Sequence, residues 1–216
     1  MPDLLDAILA FFLALVVVWI STPVVKSLAW RIGAIDEPNE RSLHATPTPK
    51  LGGLAILIAV EIAGLLFLPE TEQTHAILIG AAVIAGVGVI DDVFTIGAGP
   101  KLLGQIIGSS IPPFNGVRLG AFTLPFVGAV DPSSVHLLTI PLLDQNVDLG
   151  HLLTIIGFVA VINVINLIDG VDGLAAGVCA ISAAAFGIIA FSLQRDPAGV
   201  QNPRDPQLLA DAGLGP

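Results

Sequence analysis

Long apolar stretches recur along this chain, and each one restricts the backbone to a form that satisfies its own hydrogen bonds. They cover residues 4–20, 51–68, 76–90, 102–113, 152–168 and 173–193. Several approach the roughly 20 residues a helix needs to cross a hydrocarbon core. Only 12% of the 216 residues are charged, against about 25% in an ordinary soluble domain, so lipid is the solvent the composition fits. The expectation is an all-α, polytopic transmembrane helix bundle of about five to six spans, with 102–113 the short one. Residues 114–150 instead alternate short apolar pieces, 114–118 and 121–127 among them, with Gly, Pro, Asp and Ser. That pattern predicts an extramembrane loop with a short external β-hairpin. Asp3 and Asp6 give the first run an acidic flank, the wrong one for a secretory signal, so it reads as a retained helix. Residues 194–216, rich in Pro, Asp and Gly, read as a disordered tail.

The net charge of −10 excludes nucleic acid as a partner, since phosphate contacts need clustered Lys and Arg. The basic residues also orient the chain. Lys26, Arg31, Arg41, Lys50 and Lys101 fall on one side of the spans, and Arg118, Arg195 and Arg204 on the other. By the positive-inside rule the first side is cytoplasmic and the N-terminus lies outside. His75, His136 and His151 fall on the outer side without metal-ligand spacing and read as surface or interface residues, and Asp148 is one of several outer acidic residues. The single Cys179 rules out an intrachain disulfide.

Three polar motifs share the cytoplasmic side. The first is a stiff, Pro-rich loop from Asp36 to Gly53, in which Arg41 and Lys50 can neutralise phosphate and Gly52-Gly53 permits close backbone approach at a helix start. An ordinary basic flanking loop would share that composition. The second is Asp91-Asp92 at the end of an apolar run, with Lys101 nine positions beyond. Adjacent carboxylates at a membrane boundary repel unless they share a cation, and their hard oxygens suit Mg²⁺ alongside substrate phosphates. A solvated helix end is the plainer explanation. The third places Asn163, Asn166, Asp169 and Asp172 at three-residue spacing, with Gly170 and Gly173 directly after the two Asp, where the helix is expected to break. Polar residues in phase within a membrane segment usually face a cavity, and a simple turn does not account for all four. Glu61 sits inside the second span with no partner evident in the sequence.

Taken together, Asp36-x-Pro-Asn-x-Arg-Ser-x-His, Pro-Thr-Pro-Lys-x-Gly-Gly, Asp91-Asp92 and the run from Asn166 to Gly177 resemble the polyprenyl-phosphate N-acetylhexosamine-1-phosphate transferases, glycosyltransferase family 4. The wording of the first loop is more like the undecaprenyl-phosphate N-acetylglucosamine-1-phosphate transferases than the phospho-N-acetylmuramoyl-pentapeptide transferases. The resemblance covers residues 1–193, expected to form one transmembrane transferase domain. It implies a reaction in cell-envelope glycan synthesis: a polyprenyl phosphate attacks a UDP-sugar and releases UMP at the cytoplasmic face of the plasma membrane. It also implies a Mg²⁺ (or Mn²⁺) site drawn from Asp91, Asp92, Asp169 and Asp172, with Asn39, Arg41, His44, Lys101 and Asn166 contacting nucleotide-sugar or phosphate.

Members of that family are generally longer and carry a later Gly-Asp-x-Gly-Ser motif and a His-rich loop, neither of which occurs in this sequence. The expectation is therefore an N-terminal half that pairs with a second copy or with a complementing C-terminal half. The competing expectation is a catalytically incomplete protein that binds lipid phosphate or a partner. A transporter fits the intramembrane Asn and Asp but not the Arg41–His44 loop or the Asp pair.

Overall fold

The computed structural model describes residues 4–36, 46–124, 126, 128–140, 145–169 and 173–195. Six α-helices dominate these residues: α1 (Leu4–Ile32), α2 (Gly52–Phe67), α3 (Glu72–Phe94), α4 (Ala98–Phe114), α5 (Leu149–Ile168) and α6 (Leu174–Arg195). The chain divides into two units, Met1–Val164 and Ile165–Pro216.

In the first unit, α1 runs well past the apolar stretch that announces it and carries Pro23 inside its length. Pro23 has no N–H to give the Trp19 carbonyl, and just before it the hydroxyls of Ser21 and Thr22 both donate to the Val18 carbonyl, at 3.3 and 2.6 Å. Its last turns meet α2 through a small core of Val25, Ala29, Ala34, Leu51 and Ala55, against which Val89 and Val93 of α3 pack. The buried side of α2 is a ladder of small residues, Ala55, Ala59 and Ala63 with Gly64. Small residues let membrane helices approach closely where the hydrophobic effect between helices is absent. At 16 residues, α2 is about 24 Å long, shorter than a usual span.

Helices α3 and α4 form an antiparallel hairpin whose contacts step regularly along both. Val87 meets Gly104, Ile84 meets Gly108, Gly80 meets Gly108 and Pro112, and Gln73 meets Gly116. The short span predicted for 102–113 is thus a longer helix that starts at Ala98, takes in Lys101, carries Pro112 and Pro113 in its last turn, and ends at Phe114. A Cβ on Gly80 would stand 2.9 Å from the Gly108 carbonyl oxygen, which is backbone and cannot rotate away. Gly80→Val should therefore lower stability by about 1–3 kcal/mol, the usual penalty for overpacking. Gly86→Val on the same helix, where a Cβ meets nothing within 4 Å, should not. Thermal unfolding of both variants in detergent checks this, and equal midpoints would contradict the register.

Among the described residues, three small antiparallel strand pairs decorate the helices. The pair β1 (Ile35–Asp36) and β2 (Thr48–Pro49) closes the base of the first polar loop. The expected hairpin is present as β3 (Phe122–Leu124) with β4 (Gly128–Val130), although Phe114, read with the hairpin region, ends α4. A second pair, β5 (His136–Ile140) with β6 (Gln145–Asp148), follows a short 3-10 turn at Pro132–Ser134.

In the second unit, α5 ends at Ile168 and α6 starts at Leu174, and α6 runs into the first two residues expected to be tail. Residues 196–216 lie outside the described residues. Among the described residues, four helices are long and apolar enough to cross a membrane: α1, α3, α5 and α6 through Ser192. Large apolar side chains such as Phe11, Trp19, Leu66, Leu167 and Ile181 stand exposed, which suits lipid and not water.

Candidate functional site

Asp91 and Asp92 occupy the last turn of α3, where the chain reverses through Thr95 at a positive φ of 50°. A helix C-terminus carries the negative end of the macrodipole, so two carboxylates there are held against the local field. Nearby cations compensate. The Lys101 Nζ, from the first turn of α4, donates to Asp91 Oδ2 at 2.7 Å in a partly buried pair. Asp92 interacts electrostatically with Lys50, and more weakly with Asp91 and Lys101.

Lys50 reaches this place because the β1–β2 ribbon fixes it. Its N–H donates to the Ala34 carbonyl at 3.0 Å, its Nζ lies 3.3 Å from Asp36 Oδ1, and the next residue, Leu51, is buried in the α1–α2 core. The ribbon thereby brings the first motif's neck to the second motif. Among the described residues, Asp36, Asp91 and Asp92 face Lys50 and Lys101. Asn39, Arg41 and His44 belong to the loop that this neck closes and lie outside the described residues.

The third motif divides. On α5, Asn163 Nδ2 donates to the Oε1 of Gln105 at 2.8 Å and to the Val159 carbonyl. Gln105 is 3% exposed and one helical turn from Lys101. Asn163 thus ties α5 to the helix that carries Lys101. Gln105 was not legible as a site residue; its only trace is a polar residue one turn after Lys101 in an apolar run. In the second unit, Asn166 is exposed on α5, and Asp169 is exposed in the turn that follows, its N–H bonded to the Ile165 carbonyl. Helix α5 ends at Ile168, just before Gly170, where the sequence predicts the helix to break. Gly173, at φ +77°, leads into α6, and Asp172 lies outside the described residues. Among the described residues, no three His, Cys, Asp or Glu side chains are gathered to hold a metal ion.

A second polar cluster stands at the other end of α4, and here the surface reading of His151 is corrected. Asp148 and His151 are each 3% exposed. Asp148 Oδ1 accepts from the His151 backbone N–H at 3.1 Å, capping the first turn of α5, and lies 2.9 Å from His151 Nδ1. Arg118 NH1 lies 3.0 Å from Asp148 Oδ2 and 3.4 Å from His151 Nε2. An Nδ1–H donating to the carboxylate leaves Nε2 to accept from the guanidinium, and in this tautomer both contacts attract. Burial pushes the Asp148 carboxyl upward, but the hydrogen bonds from His151, with the charge of Arg118, outweigh it and hold the group below its ordinary value.

Together the apolar helices and the charged turn define a membrane-embedded protein with an acid-and-lysine site at one end of a helix hairpin. Residues 74–202 match the family described as glycosyl transferase family 4, and the chain belongs to that family. It is an integral membrane protein. It is 38% identical over 123 residues to a probable undecaprenyl-phosphate N-acetylglucosaminyl 1-phosphate transferase of Bacillus subtilis, a match covering 56% of this chain and 34% of that protein. It is 36% identical over 197 residues to the decaprenyl-phosphate N-acetylglucosaminephosphotransferase of Mycobacterium tuberculosis, covering 86% of this chain and 46% of that one. The Mycobacterium leprae protein of the same name matches equally, at 36% over 197 residues. The chain spans less than half the length of these curated relatives.

Proposed function

We propose that residues 1–193 form the N-terminal transferase domain of an enzyme that moves N-acetylhexosamine-1-phosphate from a UDP-sugar to a membrane polyprenyl phosphate at the cytoplasmic face. The observation that carries this reading is the Asp91–Lys101 pair at the α3–α4 turn, with Asp92 and Lys50 beside it. In the reaction, a phosphate oxygen of the lipid forms a bond to the β-phosphorus of the donor. The bond from that phosphorus to the bridging oxygen breaks, and UMP leaves with its electron pair. A phosphate oxygen is already nucleophilic, so the protein's task is to align two anions and offset their charge.

Asp91 and Asp92 fit a Mg²⁺ ion, which takes one or two carboxylates and leaves its other positions to substrate phosphates and water. Both carboxylates already stand among positive charges in this fold. Held there by Asp91 and Asp92, such an ion would supply positive charge against that of the diphosphate. Lys101 and Lys50 would hold phosphate oxygens as the carboxylates turn to the ion. Asp169 and Asp172 are the further carboxylates that the family resemblance assigns to the metal and diphosphate, and Asn39, Arg41, His44 and Asn166 are assigned to the nucleotide-sugar. In this reading Asn163 and Gln105 keep α5 seated against the Lys101 helix.

The test is UMP release from UDP-N-acetylglucosamine with undecaprenyl phosphate and Mg²⁺. It is run on the purified chain alone and on the chain co-expressed with the C-terminal half of the Mycobacterium tuberculosis relative. Release that needs lipid and stops with a chelator is the expected result in at least one form, and release in neither would overturn the reading.

A further inference from the structure

The Arg118–Asp148–His151 cluster forms part of the wall of a pocket of about 520 Å³, completed by Phe114, Gly116, Ser133, His136 and Asn146 among others. Helix α4 places it far from the acid-and-lysine site: Lys101 lies in the helix's first turn and Phe114 at its last residue, about 20 Å apart. The proposed reaction has no use for it. Its volume falls within the range of small-molecule sites.

The chemistry of the wall narrows the class of ligand. Both Asp148 oxygens are engaged and buried, so no ligand cation can reach that carboxylate. The same carboxylate neutralises Arg118, so the pocket offers no surplus positive charge to an anion. Yet Arg118 is 40% exposed, and its contacts run through one guanidinium nitrogen, leaving other N–H groups unused among the described residues. Asn146 accepts from Thr139 through its carbonyl oxygen, which leaves its amide N–H₂ unused among the described residues, and His136 stands exposed at the rim. A pocket with net zero charge, several planar donors and acceptors, and an aromatic ring at Phe114 matches adjacent hydroxyl groups, each able to donate and accept, on a small apolar ring. The buried Asp148 and His151 hold the wall rigid, which reduces the ordering cost of binding.

We propose that this pocket binds a neutral sugar, at the opposite end of the α3–α4 hairpin from the Asp91–Lys101 site and independently of it. The test uses the full chain in phosphatidylcholine nanodiscs, with saturation-transfer NMR on N-acetylglucosamine, glucose, glucuronate and inorganic phosphate. Saturable binding of the neutral sugars is expected, and it should persist in Asp91→Asn, which places it away from the other end. His136→Ala and Asn146→Ala, exposed positions that leave the buried cluster intact, should each weaken it about fivefold, as loss of one neutral hydrogen bond does. Competition by a neutral glycolipid added to the nanodisc would assign the sugar to a lipid, and lack of competition to the aqueous phase; the site stands either way. Stronger binding of glucuronate or phosphate, binding undiminished in both variants, or no saturable binding would each overturn it.

Discussion

Asp91→Asn is expected to reduce lipid-dependent UMP release by about 100-fold or more, the scale on which removal of one electrostatic contact to a reacting centre is felt, with the membrane domain still folded. Asn keeps the size of the side chain and removes its charge. The ion pair to Lys101 is short, but its side chains are 26% and 22% exposed. A pair open to solvent in that degree contributes on the order of 1 kcal/mol or less, so the unfolding midpoint should move little. Activity is a different matter. Two carboxylates at the negative end of α3 are tolerable because cations surround them, and in the proposed reaction a diphosphate arriving there would add anionic charge for an ion held by those carboxylates to offset together with Lys50 and Lys101. Retention of more than about a tenth of the activity with an unchanged Mg²⁺ response would show that Asp91 screens Lys101 and does nothing more. The variant is to be made in whichever form of the enzyme releases UMP.

The elements that carry this site differ in how far the sequence announced them. Apolar runs gave the helices because a lipid-facing segment has no other way to satisfy its backbone. They misplaced the start of α4, since Lys101 and the Ala98-Gly-Pro segment interrupt the run although Pro sits comfortably in a first turn. Asp91-Asp92 was legible because two adjacent charges at the end of an apolar run need a reason. Lys50's role was half legible: its charge was plain, but its position depends on a two-residue ribbon that no periodicity reveals. Asn163 was read as one step of a polar stripe, whereas its partner is Gln105, 58 residues away in the chain. The burial of His151 was hidden for the same reason. Only the Asp148-x-x-His151 spacing, that of a helix-capping pair, hinted at it.

That cluster makes the second large expectation. Asp148→Ala should destabilise the first unit by about 1–3 kcal/mol, the range for leaving a buried polar group without its partner, because the buried His151 ring loses its acceptor while Arg118, 40% exposed, can turn to solvent. The same carboxylate gives stability a pH dependence of known sign. Its pKa is lower in the folded protein than in the unfolded chain. Its contribution is therefore complete above the unfolded value of about 3.9 and is lost as pH falls below it, through the folded value. Other carboxylates titrate in the same window, so the informative quantity is the difference between wild type and Asp148→Asn, which keeps the shape of the side chain and cannot titrate. Unfolding midpoints measured from about pH 6 to pH 3 should show the gap between the two proteins constant at the upper end and closing towards the lower. A gap that stays constant across the whole range would mean that Asp148 holds Arg118 and His151 through shape and hydrogen bonding and that its charge contributes nothing.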